Sequence, residues 1–423
     1  MAVALLVRVG QAVQPTFRAR AAFSALLSLA ACARLGGARI APAFVPPTFP
    51  EFARQPDMRP TISSGRAGWP ILPVDPSIYV DNEGYHLFYS TFFCRREHRR
   101  SYSWDPADPT ACDMGNTITA IAYAFSRDRG LTWGFRQTPV VMSGDSGFDA
   151  ARIETAAAFR LGDTLYVAYS ADGDRDGRKF TARYQIGVAR LVLRRQSVRQ
   201  AMMDESRQFE RRATPLLPFD LRTGHFDNNV QEPSVVIGPD GIVLYYIGLG
   251  LRLPGEPIDA AGQQIVSIGL GRAVLDEHLN VLVRSESALL EGVNTTEVKY
   301  FDHAYHLFAS TLGGGDAHRN EAISYATSAD GAHWTTPTVI LSPGSAPGFN
   351  DWGLMAPTAA VQLNRVVLFY TAFGTAPGEC LLRGRDGRFG VPLVDVSRCM
   401  FVTIGRAVSA LPAVGPRANN TNR

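Results

Sequence analysis

One unit recurs five times in this 423-residue chain, and it limits the folds open to it more than any other feature. The unit is a strand, a tight turn and a second strand ending in aromatics. Its clearest copy reads Val230-Gln231-Glu232-Pro233-Ser234-Val235-Val236-Ile237, then Gly238-Pro239-Asp240-Gly241, then Ile242-Val243-Leu244-Tyr245-Tyr246-Ile247. Pro, Asp and Gly supply the turn chemistry. The β-branched and aromatic flanks suit a pleated, half-buried surface. The other copies begin at Asp75, Glu154, Thr295 and Ala356. Their starts lie roughly 60 to 80 residues apart, which leaves room for two further strands per repeat. Four strands make a propeller blade. A blade cannot bury both faces alone, so the blades must close into a ring. The expected fold is all-β: a five-bladed β-propeller of four-stranded antiparallel blades around a central channel, spanning residues 66–410. The stretch Ser197 to Glu210 is a candidate for a short helix.

In such a ring the first strand of every blade lines the channel, and its first position faces the channel mouth. The repeats therefore bring Asp75, Glu154 and Glu232 together from three neighbouring blades. Blade four offers Thr295, with Glu297 two residues on and on the same strand face; blade five offers Ala356. Converging carboxyls suit glycosidic bond cleavage, in which one protonates the leaving oxygen and another activates water or attacks. Crowded like charges raise one pKa and keep that acid protonated near neutral pH. Asp149, Asp227 and Asp351 each stand five residues before the acid position, in the loop leading into the first strand. With Arg152 they are candidate substrate contacts. Trp352 and Trp104 are candidate sugar platforms. His303, His306 and His318 read as surface or turn residues rather than ligands. The turns Ser126 to Trp133 and Ser328 to Trp334 read as structural: Asp caps the turn backbone, Gly takes a positive φ, and Trp packs on the blade.

The N-terminus carries a targeting pattern. Arg18 and Arg20 precede an apolar run from Ala21 to Ala31, too short to span a bilayer. Leu29-Ala30-Ala31-Cys32 has the form of a lipoprotein signal box, so 1–32 is expected to be a signal peptide with lipid on Cys32; plain secretion is the alternative. Residues 33–65 read as a tether and 411–423 as a disordered tail. The remaining cysteines fall into two local pairs, Cys94 with Cys112 and Cys380 with Cys399, and local pairing is the simplest of three connectivities. Export to a periplasmic or cell-surface location follows. A net charge of +3 with no long basic run argues against nucleic-acid binding.

The five repeats, the Asp75-Pro76-Ser77 opening of blade one and the Glu232-Pro233-Ser234 opening of blade three resemble the five-bladed propeller glycosidases. The likeness is greatest to glycoside hydrolase family 43, with relatives in families 32, 62, 68, 117 and 130. It implies that Asp75 is the general base, that Glu154 tunes the acid's pKa and orients the sugar, and that Glu232 is the general acid. It implies inversion, an arabinofuranoside- or xyloside-like oligo- or polysaccharide substrate, no required cofactor, and a monomer. Some members hold a calcium or sodium ion in the channel, though nothing in this sequence specifies one. Blade two departs from the family pattern, with Glu154 where the family has Asp. Val74 before Asp75, and Arg152-Ile153-Glu154 in blade two, set the chain apart from the sucrose-acting relatives. Two other readings are a non-catalytic carbohydrate-binding propeller and a glycoside phosphorylase or transferase, for which Arg152 is the one evident phosphate contact.

Overall fold

A computed structural model describes residues 52–54, 62–63, 71–94, 117–144, 146–173, 183–220, 225–251, 265–311, 319–345, 348–362, 364–374 and 401–411. Cys32, Trp104, Cys112, His318, Cys380 and Cys399 lie outside these residues, as does the expected signal peptide. The described residues form five antiparallel sheets. Blade one runs outward from Ile71–Val80 through Tyr85–Cys94 and Thr117–Ser126 to Gly134–Phe135. Blade two follows with Arg152–Leu161, Thr164–Asp172, Gln185–Val192 and Glu210–Arg211. Blade three is Asn229–Gly238, Gly241–Leu251, Ile265–Leu275 and Val281–Arg284. Blade four is Val293–Phe301, Ala304–Thr311, Ile323–Ser328 and Thr338–Leu341. Blade five takes Gly353–Gln362, Arg365–Gly374 and Phe401–Ala410 from the end of the chain. Its outer edge comes from the start, where Ala53–Arg54 and Ile62–Ser63 pair with Phe401–Ala410.

That last pairing corrects the expected boundary at residue 66. Part of the presumed tether belongs to blade five, and Phe52 is buried in its core. Two-residue strands carry no periodic pattern, so nothing in the sequence marks them. The one helix among the described residues, Val198–Met203, is capped by Ser197, with Gln200 completing a capping box.

The apolar core lies between blades rather than within them. Phe88 and Tyr123 of blade one pack with Ile153 and Val167 of blade two. Ala168 and Ile186 of blade two meet Leu244 and Tyr246 of blade three. Val243 and Tyr245 meet Val298 and Leu307 of blade four. Phe308 and Tyr325 meet Leu354 and Val366 of blade five. Val367 and Phe369 close the ring on Ile78 and Leu87 of blade one. The Asp-capped turns reinforce two junctions. The Asp128 carboxylate takes the amides of Leu131 and Thr132, and Trp133 packs edge-on against Phe369 of blade five. Asp330 takes the amides of Ala332 and His333, and Trp334 packs edge-on against Tyr245 of blade three. Burial raises the Asp128 carboxyl, but hydrogen bonds from the Thr132 and Ser126 hydroxyls and from the Thr132 and Leu131 amides hold it down to about 2.

Polar links stitch the inner strands together. In each inner strand one residue takes a left-handed backbone: Asp75 (φ 48), Thr155 (φ 52), Glu232 (φ 55), Thr295 (φ 39) and Ala356 (φ 47). The strand pairing slips at each of them, between Val74 and Ser77, Glu154 and Ala157, Gln231 and Ser234, Asn294 and Thr296, and Met355 and Thr358. Two residues beyond the left-handed one, a polar side chain accepts an amide from the next blade. Ser77 accepts from Ala158 N at 3.2 Å, Ser234 from Val298 N at 2.9 Å, and Thr358 from Ile78 N at 2.9 Å. Glu297 does the same for Ala359 N. Blade two has Ala157 at this place, whose side chain offers no acceptor.

These links make a stability prediction. Ser234→Ala leaves the Val298 amide without its acceptor and is expected to cost about 1–3 kcal/mol. Ala157→Ser supplies the missing hydroxyl and is expected to stabilise by about 1 kcal/mol. Urea unfolding of both variants checks the pair; equal destabilisation would count against the link.

Candidate active site

The left-handed residue is where the site begins. A non-glycine residue in that region costs on the order of 1–3 kcal/mol and needs support from its surroundings. Here the support is a hydroxyl on the second strand of the preceding blade. Asp75 N donates to Thr371 Oγ1, Thr155 N to Ser90 Oγ and Glu232 N to Ser170 Oγ, each at 2.8 Å. Ala356 N donates to Ser310 Oγ at 3.2 Å and to Thr295 Oγ1 at 2.9 Å. The bulge turns this one side chain of each blade toward the channel. Asp75, Thr155, Glu232, Thr295 and Ala356 all line a single cavity of about 30 Å³. That is room enough for ordered water between the side chains.

Two of the five positions carry acids. Asp75 is buried, and Glu232 is half-buried. Burial, then the Asp75 charge, then the Glu154 charge push the Glu232 carboxyl well above the ordinary glutamate range. Glu154 does not occupy the equivalent position in blade two; Thr155 does. Glu154 stands one residue earlier, opposite Ser170, and does not line the cavity. It acts on Glu232 through charge. Its own carboxyl is raised by burial, while a hydrogen bond from Tyr184 and the Arg152 cation oppose the rise and the Asp172 carboxylate adds to it.

The predicted substrate contacts fare differently. Asp149 is buried, takes the Tyr169 hydroxyl at 3.0 Å and pairs with Arg211 Nη1 at 2.5 Å. Asp227 repeats this arrangement, with the Tyr246 hydroxyl at 2.7 Å and Arg284 Nε at 2.8 Å. Both carboxylates fasten the loop before the inner strand to the outermost strand of the same blade. Both are engaged as structural clamps. In blade five the matching residue is the buried Asn350, not Asp351: Gly344 N bonds Asn350 O as Gly144 N bonds Asp149 O. Asp351 and Trp352 are half-buried, and the Arg319 guanidinium lies 5.1 Å from the Trp352 ring centroid, covering one ring face. Arg152 faces Tyr184, Glu154 and Asp172, so its cation is engaged and does not stand free for phosphate. His306 is buried rather than at the surface: it bonds the Tyr325 hydroxyl at 2.7 Å and the Phe301 carbonyl at 3.1 Å, and burial lowers it to about 4. His303 lies exposed in a turn.

The sequence reading missed Glu297 as a link and Tyr184 altogether. Glu297 sits in the cavity wall, ion-paired to Lys299 at 2.7 Å. Tyr184 precedes the third strand of blade two, where no repeat motif marks it. Among the described residues, no group of three or more His, Cys, Asp or Glu side chains stands close enough to hold a metal ion.

No protein-family model matches the chain, and no curated protein sequence matches it. Solved structures do. One described as a glycoside hydrolase aligns with a TM-score of 0.55 at 11% identity, over 83% of this chain and 92% of that one. BT0996, solved as an RGII complex, aligns at 0.53 and 12% identity, over 81% and 92%. Zg3597, a family 117 glycoside hydrolase of the marine bacterium Zobellia galactanivorans, aligns at 0.51 and 15% identity, over 86% and 89%. The chain shares the five-bladed propeller fold of solved glycoside hydrolases.

The clamp and the raised carboxyl each carry a stability signature. Asp227→Ala strands Arg284 and Tyr246 and is expected to cost about 3 kcal/mol or more, read as a fall in thermal midpoint. Unchanged stability would argue against the clamp. For Glu232 the sign is opposite. A carboxyl raised on folding contributes stability below the unfolded glutamate pKa and loses it as pH rises toward the folded value. Glu232→Gln is therefore expected to melt higher than wild type at neutral and alkaline pH, with the gap closing near pH 4. A gap that is constant with pH would overturn this account.

Proposed function

We propose that the chain is a glycoside hydrolase in which Glu232 is the general acid and Asp75 the general base. The observation that carries this reading is the pair itself. Of five equivalent strained positions around one cavity, two hold carboxyls, and one of these is pushed toward the protonated form while the other supplies part of the push. That is the division of labour glycosidic cleavage requires. The shared fold with solved glycoside hydrolases agrees with it.

In the proposed reaction the sugar binds at the channel mouth with its scissile bond over the cavity. Asp75 accepts a proton from a water held between the acids. The water oxygen forms a bond to the anomeric carbon as the bond to the leaving oxygen breaks. Glu232 donates its proton to that oxygen. Glu154, ionised beside it, keeps the proton on Glu232 until the step begins. The product anomer is inverted. Arabinofuranosides and xylosides are the first substrate classes to test.

Glu232→Gln is expected to abolish turnover of unactivated oligosaccharides. Aryl glycosides with good leaving groups need less protonation and are expected to retain far more activity, with the difference on the order of 10²-fold or greater. Equal loss on both substrates would remove Glu232 from the acid role. In the wild type, activity falls on the alkaline side as Glu232 deprotonates through its raised pKa. NMR of the first-formed sugar decides the stereochemistry: a retained anomer would contradict the water-activation scheme.

A further inference from the structure

With Glu232 as the acid, Glu154 stands under two opposed demands. It must be ionised to act on Glu232, yet burial drives it the other way. The groups that face it are Tyr184, Arg152 and Asp172 within blade two and Glu232 across the junction. Asp172 opposes ionisation of Glu154, and Tyr184 and Arg152 favour it.

Tyr184 is placed to do more than donate one hydrogen bond. Its backbone N–H donates to Asn229 Oδ1 at 2.9 Å, and its carbonyl accepts from Val230 N at 3.2 Å. Asn229 and Val230 begin the inner strand of blade three, three and two residues before Glu232. One residue thus fixes the distance between the blade that carries Glu154 and the strand that carries Glu232. The side chain and the backbone of Tyr184 hold opposite ends of the same charge pair.

We propose that Tyr184 is a positioning residue for the reaction: its hydroxyl holds the Glu154 carboxylate in place, and its main chain holds the Glu232 strand against that carboxylate. Tyr184 does not act on the substrate. Its influence passes through Glu154 to Glu232. Arg152 assists from the same hairpin as Glu154, through its charge and its bond to Tyr184. Removing the hydroxyl leaves Glu154 with less support for its charge. A neutral Glu154 no longer raises Glu232, so the Glu232 proton is released at lower pH.

The inference rests on the proposed acid role for its meaning but not for its test. The protein is labelled with glutamate carrying ¹³C at the carboxyl, and the Glu232 resonance is assigned by its loss in Glu232→Gln. In Tyr184→Phe the Glu232 titration midpoint is expected to move to lower pH, as it is in Glu154→Gln. The double variant Tyr184→Phe/Glu154→Gln is expected to match Glu154→Gln alone, because both changes act through one carboxylate. An unmoved midpoint in Tyr184→Phe, or additive shifts in the double variant, would overturn the proposal. Arg152→Gln provides a second route to the same carboxylate and is expected to shift the midpoint in the same direction; it serves if Tyr184→Phe proves unstable by thermal melting. Turnover of 4-nitrophenyl glycosides is recorded alongside. Loss of the titration pattern condemns the positioning role, whereas absence of any turnover by wild type condemns the glycosidase reading and leaves the titration standing.

Discussion

Everything in this propeller's channel depends on an amide in a strained place and a hydroxyl that receives it. Each inner strand breaks its ladder at one residue with positive φ, and in four of the five the cost is offset by a hydrogen bond made across a blade junction. The strain and the closure of the ring are therefore one device. A blade outside the ring would lose the hydroxyl that stabilises its bulge. The bulges add one side chain from each blade to the cavity lining. Asp75 and Glu232 occupy positions that the fold prepares five times and uses for acids twice.

The device is uneven around the ring. The hydroxyl before Thr295 is missing, because blade three has Ile247 where its neighbours have Ser90, Ser170, Ser310 and Thr371. The second series of links lacks its member between blades two and three, at Ala157. Blade three thus has one fewer tie at each of its junctions, and blade three bears Glu232. The junction with blade two is fastened elsewhere, by the Glu232 amide on Ser170 and by Tyr184 on Asn229 and Val230. The polar ties there are concentrated around the carboxyls.

The repeat was legible in the sequence because strand, turn and aromatic strand recur with full hydrophobic content in every blade. The blade count, the inner strands and the positions of Asp75, Glu232, Thr295 and Ala356 all came from it. The placement of blade two's acid slipped by one residue. A bulge adds a residue without altering composition, and Glu154-Thr155 gives no proline to mark it, whereas Asp75-Pro76 and Glu232-Pro233 do. The same slip paired Asp351 with Asp149 and Asp227, when the shared geometry belongs to the residue after phenylalanine: Asp149, Asp227 and Asn350. Their use as clamps was hidden for a different reason. Arg211 and Arg284 come from fourth strands too short to be recognised by pattern, and only the folded blade brings them to the carboxylates.

Tyr184 shows why a repeat-based reading finds acids before it finds what controls them. Two carboxyls at equivalent positions of a symmetric ring have similar surroundings by construction, and similar surroundings cannot push one toward the protonated form and not the other. The difference has to come from residues that do not repeat. Glu154 is one, standing a residue off the register shared by the other blades. Tyr184 and Arg152 are the others, and they counter the burial that would neutralise Glu154. Asymmetry of charge at the channel mouth is thus built by side chains outside the symmetric frame, on the junction where the frame's own links are incomplete.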